Sequence, residues 1–409
     1  MTPPTETPAM TASGTIEDIV RPVLTHARDI RHDLHRHPEL MFEEVRTSGM
    51  VASELQSLGI EHTTGLAGGT GVLGYLPATS NPAEARTIAL RADMDALPIL
   101  EETGRDYASK TDGVMHACGH DGHTAILLGV ARALANAPTR PNNVVLVFQP
   151  AEEGGAGGEK MCTDGALDGS RFGKPVDMIY GLHGWPELPL GMVATRTGPL
   201  LASTDEFVLT IRGAGGHAAA PHRTIDPIVV AAHVVTALQT IASRRIDPTD
   251  SVVVTVGAIQ AGTAFNVIPD RAVMQGTIRT LNDHTRDEVE REFRRIVHGV
   301  SESLGASAEV EWHAGYPVTV NDPDATDRFR RIAKAAIGPE RFVEKPTPTM
   351  GGEDFSYYAK HVPASFFMLG LCPPGETSSP ALHTPRFDFN DDALETGISL
   401  MCRLALDPA

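Results

Sequence analysis

Two short stretches of this 409-residue chain concentrate its chemistry: His116-Ala117-Cys118-Gly119-His120-Asp121 and, further on, the adjacent acids Glu152-Glu153. A thiol and an imidazole two positions apart can turn toward one ion, and a downstream carboxylate adds a hard oxygen ligand. Such a mixed nitrogen, sulfur and oxygen set suits a borderline transition metal. Successive side chains of an extended segment point in opposite directions, so one glutamate can ligate while the other is left for proton transfer. Residue order does not say which. Taken singly, each feature has a plainer reading, since a lone cysteine is most often a small buried apolar residue and an acidic pair is usually solvated.

Placement favours the metal. Residues 144–148 form an apolar, β-branched run that reads as a strand buried on both faces, and Glu152-Glu153 follow it through Gln149-Pro150-Ala151. Residues 87–90 read as a strand that leads to Asp93 and Asp95. Residues 178–182 deliver His183 before the breaking sequence Gly184-Trp185-Pro186, and 364–370 precede a Pro/Gly-rich loop that leads to His383. Ligands of open α/β sheets bind outside the carboxyl ends of strands, which predicts that these groups converge in one crevice. Behind the Cys/His run, Ile126, Leu127, Val130, Ala131 and Leu134 make the apolar stripe of a helix, with Thr124 or Asp121 as its expected cap.

The whole chain sets outer limits. Its 41% hydrophobic and 21% charged content is that of a globular protein, and its length suggests two domains. A net charge of −18 argues against nucleic acid, and no apolar stretch reaches the ~20 residues of a membrane span. Residues 1–7 lack the basic and apolar regions of a signal peptide and read as a flexible tail. Scattered Cys118, Cys162, Cys372 and Cys402 make a disulfide framework improbable, so a reducing cytoplasm is the default.

Alternating helices and short strands predict a doubly wound α/β catalytic domain over 15–197 and 313–409. Between them, 198–312 reads as strand, helix, two strands, helix and strand, the order of a ferredoxin-like α+β module. This insert holds the run Gly213 to His222, which includes His217. Locally that run is a glycine-rich turn with water-facing histidines, and Asn266 is a turn residue. Arg279 ends a strand, and its planar guanidinium would suit a carboxylate.

These residues, from His32-Asp33-Leu34-His35-Arg36-His37-Pro38 to Leu382-His383-Thr384-Pro385, resemble the co-catalytic metallopeptidase family that includes aminoacylases and glutamate carboxypeptidase. Within it the chain is most similar to the amidohydrolase subfamily of hippurate hydrolases and indole-acetyl-amino-acid hydrolases. The resemblance implies a zinc-peptidase-like catalytic domain and two divalent metals per chain, manganese or zinc first, with cobalt or nickel also accepted. It implies Cys118, His120, Glu153, His183 and His383 as ligands and Glu152 as general base. The insert becomes a lid and dimerisation domain that gives a homodimer or a dimer of dimers. His217 would enter the neighbouring subunit's site, while Asn266, Arg279 and Gly352 hold an N-acyl amino acid. Many relatives carry His-x-Asp where this chain has Asp93-Met94-Asp95, so Asp93 is not expected to ligate. Asp95 and Asp121 are expected to hold the ligand imidazoles in their tautomers. Other readings are a metal-dependent dipeptidase or carboxypeptidase, a hydrolase with Cys118 as nucleophile and His120 as base, and a non-catalytic protein with a structural metal.

Overall fold

The computed structural model describes residues 15–408, so the tail expected over residues 1–7 lies outside it. Two units emerge. The larger runs to Thr195 and includes Asp324–Glu344 and the chain from Val362 onward; the smaller is Arg196–Pro323 with Lys345–His361. The expected boundaries need correction, since 313–323 and 345–361 group with the insert. Pairing explains it: Thr319–Asn321 lies antiparallel to Gly198–Leu201, the Thr349 amide donates to the Leu200 carbonyl at 3.0 Å, and Lys360 Nζ meets Asp283 Oδ2 at 2.7 Å.

In the larger unit an eight-stranded mixed sheet has four parallel strands at its centre: Asn143–Gln149, Thr87–Asp93, Met178–Pro189 and Ala364–Cys372. Three of them are buried at every position, which is why they read as unbroken apolar runs. Alternation divides the faces. Ile88, Leu90, Val144, Leu146, Tyr180, Leu182, Phe367 and Leu369 join one core with the helices Leu24–Arg36, His120–Ala135, Pro323–Ile337 and Ala393–Leu406. Arg91, Asp93, Gln149 and His183 occupy the other face. The expected stripe of helix His120–Ala135 is buried, but neither expected cap is used. Gly119 stands at the cap position with φ 87°, a left-handed conformation that glycine adopts without cost. Thr124 instead donates to the Asp93 carbonyl at 2.8 Å, and Asp121 turns to other partners.

In the smaller unit the strands run Val252–Ala261, Arg271–Thr280, Asp205–Arg212, Ser307–Ala314 across an antiparallel sheet. With the helices Pro227–Leu238 and Asp283–Ser303 this is the expected ferredoxin-like order. Phe207, Leu209, Ile211, Val230, Val234, Val289, Phe293 and Val297 form its core. Among the described residues one helical stretch, Pro227–Arg244, is long and apolar enough to cross a membrane, a length the apolar runs were not expected to reach. Its Val230, Val234, Leu238 and Ile241 are packed into this core.

Candidate metal centre

All five expected ligands of the larger unit come together. Cys118 Sγ lies 3.3 Å from His183 Nε2 and 3.3 Å from His383 Nε2, and His383 Nε2 is 3.0 Å from Glu153 Oε1. Donors that share one ion at 2.0–2.3 Å in tetrahedral geometry sit roughly 3.5 Å apart, so these separations match. Two trios result, Cys118/His120/His183 and Cys118/Glu153/His383, each with its donor atoms within 4.8 Å of one another. The sulfur belongs to both. A carboxylate oxygen of Glu152 lies within the same distance of donors on His120 and Glu153, yet Glu152 is in neither trio.

Local contacts aim these side chains. Asp95 Oδ1 is 3.2 Å from His120 Nδ1, which leaves His120 Nε2 buried without a hydrogen-bond partner among the described residues. The same carboxylate accepts the amides of Glu152 at 3.0 Å and Glu153 at 2.9 Å, so one side chain ties the acidic pair to the histidine. His183 donates Nδ1–H to the Gly184 carbonyl at 2.8 Å and keeps its Nε2 lone pair for the centre. Ala151, just before the acidic pair, has φ 55°, and His383 has φ 61°. Both are held in backbone that costs a non-glycine residue about 1–3 kcal/mol. Glu44 Oε1 accepts the Ala151 amide at 2.9 Å, and the His383 amide donates to the Ala117 carbonyl at 2.8 Å.

The electrostatics call for a cation. Burial disfavours a charged His120, but Asp93, Asp95 and Glu153 outweigh it and raise its pKa to about 10. Burial together with Glu153, Glu152 and Asp93 pushes the Cys118 thiol well above its usual range. The surrounding carboxylates thus keep protons on His120 and Cys118 that divalent ions would replace, and an imidazole nitrogen without a hydrogen-bond partner among the described residues lies in the cluster. The residues fit a metal pair. An activated cysteine nucleophile needs the opposite shift, toward thiolate at neutral pH.

Other expected residues fall elsewhere. Asp121 does not hold a ligand imidazole: its Oδ2 accepts from buried Arg31 Nε at 2.9 Å and lies 2.8 Å from His35 Nδ1, because helix Leu24–Arg36 packs beside it. His116 is buried, with burial lowering its pKa to about 4, and neither of its nitrogens has a partner among the described residues. In the smaller unit His217 and Asn266 are exposed neighbours, for Val267 pairs with His217 and the Ala218 amide donates to the Asn266 carbonyl at 3.1 Å. Arg279 adjoins Gly352, where an added Cβ would lie 3.4 Å from its Nη1. Its half-buried guanidinium makes no hydrogen bond or ion pair among the described residues, and burial lowers its pKa. Sequence reasoning missed Glu44 and His123. Helical spacing from His120 was a signal for the second; nothing local marked the first.

A mixed sheet whose parallel strands end in a cation-seeking cluster, with a ferredoxin-like insert, defines a metallohydrolase. The model of Peptidase family M20/M25/M40 matches residues 89–407, and the chain belongs to that family. It is 42% identical over 367 residues to the N-acetyl-L-cysteine deacetylase of Bacillus subtilis, covering 89% of this chain and 84% of that one. Thermostable carboxypeptidase 1 of Saccharolobus solfataricus is 39% identical over 395 residues, covering 96% and 97%. Among solved structures, the Bacillus subtilis YXEP protein, described as a dinuclear metal binding peptidase, superposes with a TM-score of 0.80. It is 35% identical, over 95% of this chain and 100% of that one.

Proposed function

We propose that this enzyme hydrolyses the amide bond of N-acyl amino acids at two divalent ions held by the two trios around Cys118. The observation that carries the reading is the shared sulfur, with Glu152 close by but outside both trios. A deacetylase of an acylated amino acid and a carboxypeptidase, the names its relatives carry, cut the same kind of bond, an amide next to a free amino-acid carboxylate. Arg279, whose guanidinium makes no hydrogen bond or ion pair among the described residues, is assigned to that carboxylate, with Gly352 beside it. The ions, manganese or zinc, supply Lewis acidity to water and to the amide carbonyl. Glu152 takes the proton of the attacking water and returns it to the leaving amine. Asp95 fixes the peptide that carries Glu152 and so the direction of that transfer.

His217 has its Nδ1 occupied by the Ala219 amide at 3.0 Å, so its proton sits on Nε2, ready to donate to a developing oxyanion. Yet His217 and Asn266 lie near the Arg271 end of strand Arg271–Thr280, and Arg279 at the other, a span of roughly 25 Å at ~3.3 Å per residue. No N-acyl amino acid bridges that. We therefore assign His217 and Asn266 to the site of a second copy, in a homodimer or dimer of dimers. Exposed Ile228, Val229, Ile259, Phe265 and Val267 offer the apolar surface for pairing. Four free thiols fit a reducing cytoplasm. The test is a hydrolysis screen over N-acyl amino acids, varying acyl group and amino acid separately, with chelation and metal add-back. Activity that survives complete chelation sinks the reading, and a ranking by C-terminal residue in peptides over simple acyl groups favours a carboxypeptidase.

A further inference from the structure

Asp93, His120 and His123 also bring donor atoms within 4.8 Å of one another, so His123 looks at first like another ligand. Its hydrogen bonds rule that out. The Gly184 amide can only donate, and it points at His123 Nε2 from 2.8 Å, so this nitrogen carries a lone pair and no proton. The proton sits on Nδ1 and is donated to Asp93 Oδ1 at 2.7 Å. Both nitrogens are spent. Asp93 is pinned in turn by Arg91, whose Nη1 donates to Oδ2 at 2.6 Å while its Nε donates to Gln149 Oε1 at 2.8 Å. All four side chains are buried.

Gly184 also serves His183 through its next peptide unit: the Gly184 carbonyl accepts Nδ1–H of His183 at 2.8 Å, which leaves Nε2 for the centre. We propose that His123 is a positioning residue for His183: it holds the amide that joins His183 to Gly184, and through Gly184, whose carbonyl takes Nδ1–H, sets both the tautomer and the direction of the His183 ring. Asp93, which replaces the ligating histidine expected of many relatives, thus serves the centre through a relay of Asp93, His123, Gly184 and His183. A Cβ on Gly184 would meet Leu371 at 2.8 Å and Phe389 at 3.1 Å, so the packing there leaves little room for a side chain. The inference rests on His183 being a ligand, as assigned above.

Two substitutions separate the arms of the relay. In His123→Gln the side-chain oxygen can take the place of Nε2 and still accept from Gly184. In His123→Asn the side-chain amide can take the place of Nδ1 and still donate to Asp93, but nothing reaches Gly184. Zinc titrated into each metal-free protein against a chromophoric chelator reads affinity without any assay of turnover. His123→Asn should weaken one of two ions by about 10–100-fold, the usual effect of losing a partner behind a metal ligand. The second ion should stay within about 3-fold, and His123→Gln should hold both nearly as wild type does. Equal losses in the two variants, or no loss in His123→Asn, overturn the proposal. Wild-type protein that binds no zinc would instead overturn the metal centre itself. Should His123→Asn fail to fold, neutron diffraction of the wild-type protein decides, and a proton on Nε2 of His123 refutes the relay.

Discussion

Cys118 carries more of the centre than any other side chain, because its sulfur alone belongs to both trios. Cys118→Ala should therefore release both ions, whereas His183→Ala should release one; elemental analysis that finds one ion in each variant contradicts the shared role. Glu152→Gln should cut turnover by about 10²–10⁴-fold while leaving the metal content at two ions, since an amide cannot accept a proton from water. Loss of metal in Glu152→Gln and its retention in Glu153→Gln would reverse the two assignments. Glu44 sits behind the acidic pair with its pKa pushed up to about 7 by burial, with nearby Asp95 adding to the shift against its hydrogen bonds. The folded chain keeps this proton to higher pH than the unfolded chain, whose value is 4.5. The associated stability is complete below pH 4.5 and is lost as pH rises through about 7, a change of about 3 kcal/mol. In metal-free protein, Glu44→Gln should remove that component from urea unfolding curves taken across this range. Identical pH slopes in the two proteins would show that Glu44 does not titrate there.

Elements decide how much of this was legible in advance. Each parallel strand was readable because it is a buried apolar run that stops at a polar group, and the sheet rule then predicted one crevice. The helix cap was misread because Gly119 turns the chain without any side-chain acceptor, and Asp121 went to Arg31, ninety residues earlier in the chain. Glu44 was invisible, and His123 marked only by its helical spacing from His120, for a related reason: their partners, Ala151, Asp93 and Gly184, are neighbours only after folding. The domain edges moved because short pairings such as Thr319–Asn321 with Gly198–Leu201 leave little apolar signature. Close packing of helix His120–Ala135 gives a sharper test. A Cβ on Gly122 would meet the Phe389 ring at 2.5 Å, and a ring in a packed core has little room to retreat. Gly122→Ala should lower stability by about 1–3 kcal/mol, the usual result of overpacking. A melting temperature equal to that of wild type would show that the loop carrying Phe389 yields freely.

For the whole molecule, the proposed division of Arg279 and His217 between two chains would make catalysis depend on assembly. Mixing inactive His217→Ala with inactive Glu152→Gln protein should restore part of the activity once subunits exchange, because one site of a mixed dimer then has its own Glu152 and its partner's His217. No recovery after demonstrated exchange, or full activity in a verified monomer, would end the two-chain reading. The left-handed residues beside the centre bear on how the enzyme fails. Ala151 and His383 store strain that only the surrounding fold maintains, so the loops that carry Glu152 and His383 have the most to gain by relaxing. Along a urea series the enzyme should accordingly fall silent while its helices and sheets still give a native circular dichroism signal, and removing the urea should restore activity faster than a globally unfolded chain regains its structure.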